Sequence, residues 1–265
     1  YPGIIFSGSA ENIIFMFPGK YPFGGIFGFT SYILIIWHHA ISGMVVVNLS
    51  PGKKNSMEFR DATSAEIDEI MQKAWTAFQV YSKLSLKERA GFMRAIAAKL
   101  DLENDELIQT AIAETNLPEA RMKVEKARTV FQLNSYADAC ERGEWLEARI
   151  DTAIADRKPP KPDLRKAMTA LGPVVVFGAS NFPFAYSTAG GDTACAFAAG
   201  CPVIVKAHPA HAKTSTMVAE MIYEAARETN MPEGIFAHVY GADFGIGKAL
   251  VEHPYTKAVG FTGSY

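Results

Sequence analysis

Residues 171–206, LGPVVVFGASNFPFAYSTAGGDTACAFAAGCPVIVK, form the segment that decides the fold. Apolar and β-branched residues at 173–177 predict a short buried strand, which small and polar residues then interrupt. Small residues dominate 187–199 and predict a helix that packs closely on a sheet and ends at Gly200. A second apolar run at 201–205 predicts another strand. The segment is therefore expected to form a strand–helix–strand unit.

Two polar residues follow the strands of this unit, Asn181 after the first strand and Lys206 at the end of the second. Ligands of parallel α/β sheets bind outside the carboxyl ends of the strands, so both residues are candidates for a functional site. Asn181 has an alternative interpretation, because an asparagine side chain can simply cap a turn.

The rest of the C-terminal part continues this alternation. Helical patterns occupy 214–229 and 244–252, and apolar runs at 235–240 and 257–261 predict two more strands. Strands that alternate with helices of this length indicate βαβ units, a parallel sheet and right-handed crossovers. The predicted fold class is α/β, with a Rossmann-like parallel sheet preceded by N-terminal helices.

The segment at 57–170 is predicted to be mainly helical. Thr63 or Ser64 is a candidate N-cap for its first helix, and Ser85 with Glu88 has the spacing of a capping box. We predict helices at 64–81, 86–100, 105–115 and 118–142, then a proline-rich connection with extended strands at 145–153 and 164–169.

Residues 1–56 are atypically hydrophobic compared with the rest of the chain. Through residue 52 the formal charges are Glu11 and Lys20, and the uncharged stretch 24–47 is long enough to span a bilayer. A signal peptide fits poorly, because there is no basic n-region. Translated upstream sequence or a frameshifted start is the favoured interpretation, and under it the segment would not be native. A membrane anchor and a divergent N-terminal strand region are the alternatives.

Composition and charge exclude some functional classes. The 265-residue chain has a formal net charge of −2 at pH 7, which gives no electrostatic basis for a nucleic-acid partner. Its three cysteines, Cys140, Cys195 and Cys201, lack metal-ligand spacing and fit reduced thiols better than a disulfide framework. We therefore expect a cytoplasmic protein with no metal site, and membrane association is disfavoured.

Four separated motifs occur in a fixed order along the chain. They are GASNFP at 178–183, AGGDTA at 189–194, AAGCPVIVKAHPAH at 198–211 and GFTGS at 260–264. From about Phe59 onward the chain resembles the aldehyde dehydrogenase superfamily. The resemblance is strongest to the 2,5-dioxovalerate (alpha-ketoglutaric semialdehyde) dehydrogenase branch, and NADP-preferring fatty aldehyde dehydrogenases are also similar.

The resemblance implies roles in catalysis. Asn181 matches the amide that holds the oxyanion formed from the aldehyde, and an amide does so without a charge that varies with pH. Phe182 matches a residue that lines the substrate channel, although a core role is nearly as well supported. Arg121 and Arg128 could bind a substrate carboxylate, but a surface or ion-paired role is favoured. Gly190 stands where many members carry a lysine, which puts a proton relay there in doubt.

The same resemblance implies a nicotinamide cofactor. Lys206 matches the lysine that reaches the adenosine ribose, and Pro209 stands where many NAD-preferring members carry a glutamate. Without that carboxylate the 2′-phosphate of NADP meets no repulsion, so NADP is the expected cofactor and NAD the alternative. The other expected cofactor contacts are His208, Gly241, Gly247, Gly263 and Ser264.

The resemblance also implies an activity and its limits. The expected reaction is NAD(P)-dependent oxidation of an aldehyde or semialdehyde, with 2,5-dioxopentanoate favoured and a fatty aldehyde as the alternative. The catalytic cysteine and general-base glutamate of the family lie beyond Ser264. The sequence is therefore expected to be an N-terminal fragment, truncated before the catalytic domain and inactive alone. The alternative function is a non-catalytic nucleotide-binding or scaffolding protein.

Three parts are expected along the chain. Residues 1–56 are the hydrophobic segment, residues 57–170 hold the N-terminal helices and the strands of an oligomerisation arm, and residues 171–265 are a partial NAD(P)-binding region. The full-length protein is expected to be a homo-oligomer, a dimer or a tetramer, that acts on a small-molecule aldehyde.

Overall fold

The computed structural model describes residues 59–102, 105–241 and 244–263, so the predicted hydrophobic segment lies outside the described residues. The helices are α1 Ser64–Tyr81, α2 Leu86–Asp101, α3 Asp105–Thr115, α4 Glu119–Arg142, α5 Gly191–Ala199, α6 Ala212–Glu228 and α7 Phe244–Glu252. The strands are β1 Arg149–Asp151, β2 Leu164–Lys166, β3 Val174–Phe177, β4 Val203–Lys206, β5 Phe236–Val239 and β6 Ala258–Phe261.

The central sheet has four parallel strands in the order β5-β4-β3-β6. Its register pairs Phe177 with both Lys206 and Phe261, and Lys206 with Val239, so the last residues of all four strands lie at one edge. The chain adds β4 and β5 on one side of β3 and then returns to add β6 on the other side. The predicted α/β class and parallel sheet are confirmed.

Side chains of alternate strand residues pack against helices on the two faces of the sheet. Val176, Val203 and Val205 belong to a core formed with α2, α4, α5 and α6. Val175 and Ile204 belong to a second core formed with α1 and α7. This alternation is the period of two expected for a strand buried on both faces.

Two helix starts follow directly from local sequence. Thr63 accepts a hydrogen bond from the Glu66 backbone and the Glu66 side chain accepts one in return, so α1 begins with a capping box. Ser85 and Glu88 form the same arrangement at α2. Both predicted caps are confirmed, with Thr63 rather than Ser64 as the first. The cap of α4 is Pro118 itself, because its ψ of 142° is extended and the helix begins one residue later.

The helix predicted at 187–199 begins four residues later than expected, at Gly191. The preceding chain folds into turns in which the Gly191 N–H donates to the carbonyl oxygen of Ala185 at 3.2 Å. A Cβ at Gly190 would lie 2.5 Å from that same oxygen, so glycine permits the close approach. The predicted end is confirmed, since Gly200 has a φ of +90°.

The proline-rich connection contains the short antiparallel pair β1–β2, whose residues are exposed. The pair is shorter than the predicted strands, and Trp145 lies in a 3-10 turn rather than in an extended segment. The oligomerisation role implied for this arm stays a prediction. None of the helices in the described part of the chain combines the length and apolar character needed to cross a membrane.

Candidate active site

The ends of the parallel strands bring the predicted site residues to one edge of the sheet. The N–H of Gly178, just after β3, donates to the carbonyl oxygen of Lys206 at 2.9 Å, which joins the Asn181 loop to the end of β4. The strand order reverses between β3 and β6, and open α/β sheets bind ligands at such a point. Asn181 lies in the loop after β3, and Gly263 follows β6, so the two segments flank this position.

The Asn181 loop is held by helix α4. Asn181 is exposed, and its backbone carbonyl oxygen accepts a 2.5 Å hydrogen bond from Nη2 of Arg121. Farther along the loop, Oε1 of Glu125 accepts hydrogen bonds from the N–H groups of Phe184 at 2.9 Å and Ala185 at 3.1 Å. The loop conformation therefore depends on two charged side chains of the same helix.

Glu125, which holds the Asn181 loop, has a buried carboxylate. Glu125 is 5% exposed, and burial raises the pKa of its carboxyl group. The two backbone hydrogen bonds and the charges of Arg121 and Arg128 act in the opposite direction. A carboxylate that accepts two backbone N–H bonds is a strong local constraint, because those bonds are charge-assisted.

Phe182 forms part of an aromatic and cationic cluster next to Asn181. Its ring lies edge-on to Tyr186 at 5.1 Å, and the Arg121 guanidinium lies 5.0 Å from the Phe182 ring centre. The exposed Arg128 donates to the Tyr186 hydroxyl at 2.8 Å. The surface or ion-paired role favoured from the sequence for Arg121 and Arg128 did not include these contacts with the aromatic rings beside Asn181.

Lys206 lies almost buried at the predicted cofactor position. It is 9% exposed, its Nζ donates to the carbonyl oxygen of Gly241 at 3.4 Å, and burial lowers its pKa. Lysine carries three N–H donors, so this single long bond leaves N–H groups of Lys206 that can donate to a ligand. Such a donor fits ribose hydroxyls or a phosphate, and Gly241 is itself buried beside it.

His208 is a neutral side chain next to Lys206. Its pKa is lowered to about 4 by burial first, and then by the neighbouring His211 and Lys206. Its Nδ1 accepts from the N–H of Ala210 at 3.1 Å, which orients the ring. At neutral pH it can thus offer a hydrogen bond through Nε2 but no positive charge.

The remaining predicted glycines differ in position. Gly247 lies in the first turn of α7, where a Cβ would be in ordinary contact at 3.5 Å with the Phe177 ring. Gly263 is exposed after β6, and Ser264 lies outside the described residues. The Thr262 side chain hydrogen-bonds Asp192 of α5, and this contact fixes the end of β6.

The three cysteines are unsuited to act as nucleophiles. Cys140 and Cys201 are buried and Cys195 is partly buried, and all three are free thiols. Burial is the main cause that raises each thiol pKa, to about 12 for Cys195. A nucleophilic cysteine needs its thiolate form, so these thiols do not take that role. No group of three potential metal ligands occurs among the described residues.

The sequence interpretation missed Glu125, Tyr186 and Asp192. Arg121, Glu125 and Arg128 are spaced by four and three residues, which puts them on one face of a helix. That spacing was the one feature of the sequence that indicated a shared role for these three residues. Their target loop lies about 60 residues away in sequence, and no local pattern indicates such a contact.

Comparison with known proteins identifies the family of this chain. The model of the aldehyde dehydrogenase family matches residues 37–265. The chain belongs to the aldehyde dehydrogenase family. The family match begins ahead of Phe59, inside the segment that the sequence interpretation set apart.

Two curated relatives of the family are semialdehyde dehydrogenases. The chain is 50% identical to alpha-ketoglutaric semialdehyde dehydrogenase 2 of Azospirillum brasilense, over 78% of this chain and 39% of that protein. It is 42% identical to alpha-ketoglutaric semialdehyde dehydrogenase of Acinetobacter baylyi, over 82% of this chain and 41% of that protein. The chain thus spans about two fifths of the length of these relatives.

A solved family structure supports the fold. The NAD-dependent benzaldehyde dehydrogenase of Corynebacterium glutamicum superposes with a TM-score of 0.65 at 22% identity, covering 86% of this chain and 46% of that one. At this sequence identity, the similarity between the two structures is evidence for a shared fold only.

Proposed function

We propose that the full-length protein oxidises a semialdehyde, 2,5-dioxopentanoate in particular, to its carboxylic acid with a nicotinamide cofactor. The observation that carries this proposal is the position of Asn181, exposed at the reversal point of the sheet within a loop fixed by α4. The names of the Azospirillum and Acinetobacter relatives support the substrate class.

The proposed role of Asn181 is to stabilise negative charge on the aldehyde oxygen. When the cysteine implied by the family attacks the carbonyl carbon, the oxygen gains charge that an amide N–H can meet with a hydrogen bond. A preorganised donor of this kind lowers the barrier because it needs no reorganisation during the step. Phe182 would shield one side of the aldehyde from water.

The proposed cofactor site is the edge formed by β4 and β5. Lys206 would bind the adenosine ribose and, in NADP, its 2′-phosphate, with His208 and the Gly241 backbone beside it. Pro209 is exposed and brings no carboxylate to repel that phosphate, which supports NADP over NAD. The bound nicotinamide would supply the hydride acceptor. Gly247, Gly263 and Ser264 remain proposed contacts of the same cofactor.

The proposed site for the distal carboxylate of the substrate is Arg128. Its guanidinium is exposed and is oriented by the Tyr186 hydroxyl, next to the Phe182 ring. A guanidinium binds a carboxylate through two parallel hydrogen bonds, which a fatty aldehyde cannot use. This pairing favours a semialdehyde over the alternative substrate.

The proposed assembly is a cytoplasmic homo-oligomer, a dimer or a tetramer. The exposed apolar residues Ile150 and Leu164 of the β1–β2 pair, which are 69% and 54% exposed, support contact with another copy. Light scattering of the full-length protein at several concentrations tests this, and a monomer at every concentration would contradict it.

A turnover assay on the full-length protein tests the proposed function. We expect reduction of NADP with 2,5-dioxopentanoate, slower reduction with NAD, and a lower kcat/KM with hexanal. Cofactor binding without turnover of either aldehyde would support the non-catalytic alternative. A preference for hexanal would support a fatty aldehyde as substrate.

A further inference from the structure

Two charged residues of helix α4 contact the Asn181 loop and are not part of the reaction proposed above. They are Arg121 and Glu125, which lie one helical turn apart. We propose that they form a positioning unit that fixes the Asn181 side chain relative to the aldehyde oxygen. This inference rests on the proposed oxyanion role of Asn181.

Glu125 holds the part of the loop that follows Asn181. Its Oε1 accepts hydrogen bonds from two successive N–H groups, those of Phe184 and Ala185, at 2.9 and 3.1 Å. Glu125, Phe184 and Ala185 are all buried, so water has little access to these N–H groups. Loss of the carboxylate would leave two buried donors without a partner, which favours a different loop conformation.

Arg121 holds the peptide unit that begins at Asn181 itself. Its Nη2 donates to the carbonyl oxygen of Asn181 at 2.5 Å, and its guanidinium lies over the ring of Phe182. The hydrogen bond restrains the backbone dihedral that directs the Asn181 side chain. Arg121 thus constrains the residue directly, and Glu125 constrains the turn that follows.

The two side chains also contact each other. Nε of Arg121 lies 3.9 Å from Oε2 of Glu125, and this buried oxygen has no hydrogen-bond donor within the described residues. The Glu125 charge therefore has two effects, one on the backbone through Oε1 and one on the Arg121 guanidinium through Oε2. A glutamine retains an acceptor for the first effect and removes the charge of the second, so the two can be separated.

Kinetics of variants in the full-length protein test the positioning role. We expect kcat to fall about 100-fold in Glu125→Ala, because a displacement of about 1 Å in a catalytic group has an effect of this size. Glu125→Gln should recover most of that loss, and Arg121→Ala should lose about 10-fold. The KM for the cofactor should not change. Glu141→Ala is the matched control, a surface carboxylate of the same helix paired with Arg94.

A double-mutant cycle separates positioning from an independent effect. If Glu125 acts through Asn181, Glu125→Ala should cause no further loss of kcat once Asn181 is alanine. Losses that multiply would overturn the inference, as would a Glu125→Gln variant no better than Glu125→Ala. If Glu125→Ala fails to fold, Arg121→Ala, with its expected loss of about 10-fold, provides the same cycle with Asn181→Ala.

Amide hydrogen exchange of residues 182–186 gives a readout that does not depend on activity. We expect faster exchange there in Glu125→Ala and unchanged exchange in Glu141→Ala. Wild-type protein that oxidises no aldehyde would refute the proposed function alone, and exchange would then decide whether Glu125 holds the loop. Unchanged protection in Glu125→Ala would refute the inference alone.

Discussion

The ammonium nitrogen of Lys206 lies 3.4 Å from the carbonyl oxygen of Gly241 and thereby joins the ends of β4 and β5. Both residues are buried, and burial lowers the lysine pKa. A buried ammonium with one long hydrogen bond is costly unless another polar group completes its shell. The ribose or phosphate of the proposed cofactor would provide that group and would account for a lysine at the end of a buried strand.

Replacement of Lys206 by methionine should weaken NADP binding. A charge-assisted hydrogen bond contributes about 1.5–3 kcal/mol, so the Kd should rise roughly 10- to 100-fold. Calorimetric titration of the full-length protein measures the change. Lys99→Met is the control, because Lys99 forms surface ion pairs with Glu224 and Glu228. Equal Kd values for the Lys206 variant and the wild type would contradict the assignment.

A carboxylate at residue 209 should change the cofactor preference. Pro209→Glu places a negative charge beside Lys206, where it would repel the 2′-phosphate of NADP and accept hydrogen bonds from the ribose of NAD. We expect the ratio of kcat/KM values to shift about 10-fold toward NAD, the size of a 1.4 kcal/mol effect. Pro209→Gln controls for the loss of proline. An unchanged ratio in the glutamate variant would show that the 2′-phosphate binds elsewhere.

Removal of the Asn181 amide should lower turnover without affecting folding. Loss of one oxyanion donor typically costs about 10²- to 10³-fold in kcat, so Asn181→Ala should fall in this range. Asn181 is exposed, hence the melting temperature should stay close to that of the wild type. Ser180→Ala, an exposed neighbour, is the matched control. Wild-type turnover in Asn181→Ala would leave the residue as a turn cap.

Much of this site could be predicted from local sequence. The sequence predicts that Asn181 follows strand β3 and that Lys206 ends strand β4. Because parallel strands end at the same edge of a sheet, both residues were expected at one edge. The capping boxes at Thr63 and Ser85 are equally local, since each lies within four residues. Patterns of this kind involve only neighbouring residues and are therefore recoverable from the sequence.

Other features depend on contacts between distant residues. The predicted start of α5 was wrong because Gly190 approaches the Ala185 carbonyl. Helix propensity does not describe such a packing arrangement. Glu125 was missed because its partners, Phe184 and Ala185, are 59 and 60 residues away. Its hydrogen bonds go to backbone N–H groups, so the identity of the partner side chains provides no signal.

Arg128 should determine how strongly the enzyme prefers an aldehyde that carries a distal carboxylate. Arg128→Leu removes the guanidinium beside Tyr186 and should lower kcat/KM for 2,5-dioxopentanoate about 10- to 100-fold, the size of a charge-assisted contact. The value for pentanal, which has no carboxylate, should change little. Lys123→Leu is the control, an exposed cation of the same helix. Equal losses with both aldehydes would indicate a structural role for Arg128 instead.

The buried histidine His238 should make stability depend on pH. It is 3% exposed, and burial together with the neighbouring His211 lowers its pKa to about 3 from an ordinary value of 6.5. Below pH 6.5 the unfolded chain binds a proton at this position that the folded chain does not. The free energy of unfolding contributed by His238 is therefore complete above pH 6.5 and falls toward pH 3, by up to about 1.4 kcal/mol per pH unit.

Two variants isolate this contribution from other titrating groups. His238→Gln removes the titration, so its free energy of unfolding should fall less steeply than that of the wild type between pH 6.5 and about 5. Ser215→Ala removes the 2.8 Å contact between Ser215 Oγ and His238 Nε2 but keeps the histidine, so its slope should match the wild type. Urea unfolding of the full-length protein at each pH measures both slopes. Parallel curves for His238→Gln and wild type would mean that the folded protein accommodates the protonated ring and would contradict this prediction.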